Sequence, residues 1–167
     1  MNVANIFRIL NAIILWGSMF FIPGKSIKRF LPVTLFCSCI LLIETLLSFV
    51  FKWWRVKGGK KYMVYDSIAF ILGPFFTVNI WVFHLTYGKF IRYAGLNLII
   101  DLLFAYPLNA FFQKIGHYKL YKFTSFSLFI SAFVYSLINY GFQMLYERPP
   151  KDYIKTDKVS KTELTVK

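Results

Sequence analysis

An aspartate stands in the middle of the apolar run YAGLNLIIDLLFAYPLNAFF, residues 93–112, and a glutamate, Glu44, lies near the centre of another. A charged side chain at mid-helix in a bilayer costs about 2.5–3.5 kcal/mol on insertion scales, so it is rare and tends to mark a working site. Asn97 and Asp101 are four residues apart and share a helix face. Asn79 lies beside a stripe formed by Gly73, Thr77 and His84, and Asn139 continues a small-residue stripe with Ala132, Ser136 and Gln143. Together Asp101, Glu44, Asn97, Asn79, His84 and Asn139 form a candidate intramembrane polar site. Two carboxyls at similar depth on different helices could share a proton, bind a cation, or tie the helices together.

Other chemistry has little support. There is no H-E-x-x-H and no G-x-S-x-G, so no catalytic residue is assigned. His84 alone is more often an interface or packing residue than a ligand. Cys37 and Cys39 are two apart, which on a helix points them to different faces, and no further His or Cys stands near. No metal site and no cofactor are therefore expected.

These residues need helices to hold them, and the apolar runs supply candidates. Spans are expected near residues 4–22, 31–52, 66–87, 92–112 and 124–146. The first reads as an uncleaved spanning helix rather than a signal peptide. Pro32 suits the first turn of the second span, and Asp66 suits the cap of the third. Gly73-Pro74 predicts a bend in the third span, and Pro107 predicts a kink near Leu103–Phe104 in the fourth. Residues 56–65 and 113–123 read as basic loops.

Composition agrees. The chain is 57% hydrophobic and 16% charged, with a mean hydropathy of +0.55, well on the membrane side of soluble averages. Its net charge of +13 sits in clusters such as GKSIKR and KWWRVKGGKK between apolar runs, the pattern of loops facing anionic lipid headgroups. No nucleic-acid motif accompanies it. The expected fold is all-α: a polytopic bundle of five transmembrane helices with short loops over residues 1–148, followed by a polar, disordered tail over 149–167. Lys and Arg divide almost evenly between the two faces of such a bundle. The charges around the first helix favour an outside N-terminus and a cytoplasmic tail.

With GPFFTVNIWVFHLTYGKF at 73–90, the FLP that opens the second span and the KWWRVKGG that closes it, the chain resembles a family of small, uncharacterised five-helix membrane proteins of spore-forming Gram-positive bacteria. The resemblance covers residues 25–146 and implies a bacterial cytoplasmic membrane, with no activity attached. Two functions follow from the residues. One is a small proton- or cation-linked transporter, or a subunit of one, using the buried carboxylates. The other is a structural or regulatory membrane protein acting through helix contacts or its basic tail, as a homo-oligomer or beside a partner membrane protein.

Overall fold

Prolines decide how the long helices run. In the computed structural model, which describes Leu10 and residues 13–56, 59–115 and 118–147, the chain is mostly helical. Residues 13–18 are helical, α1, and pass through a tight turn at Met19–Phe21 into α2, Gly24–Phe51. Helix α3 is continuous through Lys60–Phe70, a wide π-helical turn at Ile71–Phe75 that contains Pro74, and Phe76–Thr86. Helix α4 repeats the device, with Phe90–Leu103, a π-helical turn at Phe104–Leu108 containing Pro107, and Asn109–Lys114. Helix α5, Ser125–Tyr146, carries no proline and is regular throughout. The two bends expected from Gly73-Pro74 and Pro107 are thus widened turns. A proline cannot donate its missing N–H, and one extra residue in the turn absorbs the mismatch. Thr77 completes the repair in α3 by donating its hydroxyl to the Gly73 carbonyl at 2.9 Å.

Among the described residues four helices are long and apolar enough to cross a membrane: α2, α3, α4 and α5. Their outer faces expose Leu42, Ile43, Leu46 and Val50 on α2 and Ile99 and Leu103 on α4, the reverse of a water-soluble surface. Length and composition make the chain a membrane protein. Residues 4–9, 11 and 12 of the first expected span fall outside the described residues, as does the tail after Glu147.

Two expectations on helix ends need correction. Helix α2 starts at Gly24, so Pro32 sits about two turns inside it, and the basic residues Lys25, Lys28 and Arg29 ride on its opening turns. Helix α3 starts at Lys60 with Gly59 before it, so Asp66 is no cap but a buried residue well inside the helix, 7% exposed. Hydropathy placed both starts where the apolar run begins, whereas a helix continues through polar turns wherever its backbone bonds are met.

The basic loops also differ from their reading as plain connections. Trp54–Val56, β1, pairs antiparallel with Tyr118–Leu120, β2, in the register Trp54 with Leu120, Arg55 with Lys119, and Val56 with Tyr118. Lys52, in the left-handed region at φ 57°, ends α2 and turns the chain into the ribbon. Trp53 lies against Phe123 with centroids 5.0 Å apart, and its carbonyl accepts from Tyr121 N at 2.9 Å. The ribbon joins the α2–α3 connection to the α4–α5 connection, so both lie at one end of the bundle.

The long helices form a ring in which α2 touches α3 and α5, and α4 touches the same two. At the end away from the ribbon the centre is filled by Phe30, Val33, Val82, Phe83 and Tyr93. Arg29 lies over the Tyr87 ring at 4.0 Å and holds Glu147 through two parallel bonds, Nε to Oε1 at 2.5 Å and Nη2 to Oε2 at 2.9 Å. That pair ties the start of α2 to the end of α5. Nearer the ribbon the ring does not close on itself, and a space remains.

Candidate functional site

The space is a cavity of about 350 Å³ bounded by all four long helices and by the ribbon. Its ribbon end is covered by Trp54, Val56, Tyr118 and Leu120, and Tyr93 stands at its far end. Both π-helical turns face it, through Pro74 and Phe75 on α3 and Phe104 and Leu108 on α4. A wide turn displaces the backbone outwards, and the two together help keep the ring open.

Five of the six expected site residues line this cavity: Glu44, Asn79, Asn97, Asp101 and Asn139. His84 does not. Its Nδ1 lies 3.1 Å from Ser26 Oγ, towards the opposite end of the bundle, and its ring stands edge-on to Trp81. Helical spacing put His84 on a stripe with Gly73 and Thr77, but a helix crossing the whole bundle carries such a stripe past the cavity and on to its end.

Glu44 is 8% exposed, faces the hydroxyls of Ser131 and Tyr135 on α5, and leaves Oε1 without a hydrogen-bond partner. Asp101 leaves Oδ2 unpartnered. Asn97 does not serve it, although the two share a face; its amide donates to the Tyr93 carbonyl at 2.9 Å. Short polar side chains take the carbonyl of their own helix when it is within reach. Asn139 is 3% exposed with Oδ1 unpartnered, and Asn79 and Asn139 both lie near the buried Cys37 thiol. Cys39 faces outwards, so the two cysteines do part to different faces.

A third carboxyl joins them. Asp66 lines the cavity close to Tyr118. At about 1.5 Å of rise per residue, Glu44 and Asp66 each lie about 10 Å from the ribbon end of their helices, and Asp101 about 20 Å. The expected match in depth between Glu44 and Asp101 is therefore corrected: Glu44 is level with Asp66, and Asp101 sits deeper. The signal for Asp66 was in the sequence, since an acid within two turns of the apolar run beyond Val64 has its face in common with Met63 and Phe70.

Asn109 was also missed. It is 1% exposed; its amide donates to Ala105 O and Ser125 Oγ, each at 3.0 Å, while its Oδ1 accepts from Tyr118 at 2.6 Å and Gln113 at 3.1 Å. This hub fixes the ribbon to α4 and α5. Burial, with the charge of Asp66 adding to it, pushes the Tyr118 phenol above its ordinary range, so Tyr118 stays a neutral donor to Asn109.

The electrostatic balance of the cavity is opposite to that of the chain. Glu44, Asp66 and Asp101 line it, and among the described residues no Lys, Arg or His does. The remaining acid among the described residues, Glu147, is paired with Arg29. Among the described residues no group of three or more His, Cys, Asp or Glu is placed to hold a metal ion. No protein-family model matches the chain, and no curated protein or solved structure matches it either.

Proposed function

We propose that the protein is a small membrane carrier, proton- or cation-linked, working through the cavity between α2, α3, α4 and α5. The observation that carries this reading is three carboxylate residues around one cavity, with no cationic side chain among the described residues of its wall, in a chain of net charge +13. Buried acids are costly in a bilayer, and when they face a cavity rather than one another they suit a transported charge. Glu44 Oε1 and Asp101 Oδ2 are unmatched, which fits a site that is filled and emptied.

The structural alternative draws support from Asn109, whose bonds make it a clasp. That clasp sits at the ribbon end and leaves the carboxyls of Glu44 and Asp101 unexplained. The carrier reading accounts for both.

Five crossings belong to the same proposal. Trp16 donates to the Leu72 carbonyl at 3.2 Å and stacks on Phe76, and Trp81 donates to Ser18 Oγ at 2.9 Å. Residues 16 to 18 thus climb α3 in its own direction, which suits a span over 4–22 that starts at the ribbon end. The membrane we propose is a bacterial cytoplasmic membrane, in keeping with the family resemblance, and the basic loops meet anionic headgroups there.

Flux into proteoliposomes under an imposed pH gradient tests the carrier. The intact protein is expected to move protons or a monovalent cation, and Asp101→Asn and Glu44→Gln to fold and lose flux. Equal flux in folded variants, or none from the intact protein, would overturn the reading.

A further inference from the structure

Resting on that reading of the cavity as the working site, we infer that its occupant is a small organic ammonium ion with N–H donors and an apolar body. Three independent features of the wall select it.

The first is the kind of atom left unmatched. Glu44 Oε1, Asp101 Oδ2 and Asn139 Oδ1 line the cavity without partners, and all three are acceptors. Glu44 and Asn139 are more than nine-tenths buried, so bulk solvent does not serve them. A protonated amine offers two or three N–H donors on one positive centre, and each carboxylate bond it makes is charge-assisted.

The second is charge. A wall with three acids and no base among its described residues repels carboxylates and phosphates, which disfavours organic anions. A neutral solute would leave the unmatched oxygens of Glu44 and Asp101 uncompensated.

The third is the rest of the wall. Trp54, Phe70, Phe75, Phe104, Phe112 and Tyr118 present rings to the space. Ring faces attract cations and accept apolar bodies, whereas calcium needs about six to eight oxygen ligands and magnesium a nearly ideal octahedron. A largely apolar wall, with its acids at two depths, supplies neither. The volume of about 350 Å³ lies at the lower end of ligand sites, which run from about 300 to 1,000 Å³. A one-ring amine fits that space.

The geometry also orients the ion. Glu44 and Asp66 lie nearer the ribbon and Asp101 deeper, so the ammonium can bond at either level while its body stays among the rings. Movement between the two levels is a short translation along the bundle.

The test is calorimetric binding of 2-phenylethylammonium to the whole protein in lipid nanodiscs. Its comparators are 2-phenylethanol, which has the same body without charge; phenylacetate, of opposite charge; and calcium chloride. Saturable binding of the ammonium alone is expected, weakened at least about tenfold by Glu44→Gln. Equal binding of 2-phenylethanol, or no saturable binding because the cavity takes water only, would overturn the inference. So would unchanged affinity in a folded Glu44→Gln protein. If that variant fails to fold, the four-ligand comparison on the intact protein still decides. Binding without flux sustains the ligand class and overturns the carrier reading. Proton flux with no ammonium binding does the reverse.

Discussion

Phe104 stands edge-on to Phe75, with ring centroids 5.2 Å apart and an interplanar angle of 76°. Each residue belongs to a π-helical turn, Phe75 in α3 and Phe104 in α4. The contact braces the two widened turns against each other beside the cavity.

Restoring a regular turn should close the site. With Pro74→Ala the helix can recover its ordinary bonding, which rotates one half of α3 by roughly 100° against the other. Asp66 and Asn79 could then no longer face the same space. Circular dichroism should report an intact helical protein, while calorimetry reports lost ammonium binding. Unchanged binding would mean that the neighbours of Pro74 set the turn.

Asp101 should be dispensable for folding. It makes no hydrogen bond through Oδ2, so Asp101→Leu removes a half-buried carboxyl without stranding a partner on Asn97. A melting curve in detergent should show Asp101→Asn unchanged and Asp101→Leu unchanged or more stable by about 1 kcal/mol. Both should lose flux. A clear drop in stability for the leucine variant would reveal a partner to that carboxyl.

Asn109 should be the opposite case. Asn109→Ala leaves the Tyr118 and Ser125 hydroxyls and the Gln113 amide without their bonds, and should cost about 2–3 kcal/mol. Tyr118→Phe keeps the ring and should cost about 1 kcal/mol. In a double-mutant cycle the two should couple; additive losses would count against a shared hub.

Arg29→Lys keeps the charge and loses both the two-bond fork and the stacking on Tyr87. Because the Arg29 side chain is 49% exposed, the loss should not exceed about 1 kcal/mol. Amide exchange should nonetheless quicken over the last turn of α5, where Gln143 also holds Glu147 at 2.8 Å. Unaltered exchange there would show that Gln143 alone suffices.

Three helices separate residue 59 from the tail, so single cysteines at 59 and 160 should react from opposite sides of the membrane in a protein lacking Cys37 and Cys39. From the charges around the first span, the tail is expected on the cytoplasmic side. Labelling of position 160 from outside would reverse the orientation, and labelling of both from one side would refute the number of crossings.

The four long helices could be read from hydropathy and the two wide turns from proline, because both are properties of a short stretch of chain. The polar stripe of α5 was legible for the same reason: Ala132, Ser136 and Asn139 all line the cavity. What escaped was pairing at long range. Nothing local in KWWRV or YKL announces that Trp54 meets Leu120. Spacing showed that Asn97 and Asp101 share a face, but not that Asn97 would turn to the Tyr93 carbonyl. Hydropathy placed Asp66 at a helix end because it averages over side chains, whereas burial depends on which side each one takes.

The ribbon has a consequence for biosynthesis. Its two strands lie either side of α3 and α4, so β1 leaves the ribosome long before its partner exists. Helices α2 and α3 must reach the bilayer with Glu44 and Asp66 still uncovered, and only after α4 has been threaded can β2 arrive and Tyr118 reach Asn109. A chain stalled after Lys114 would hold α2, α3 and α4 but lack both α5 and the roof, and such a half-made product is one for quality-control proteases to recognise.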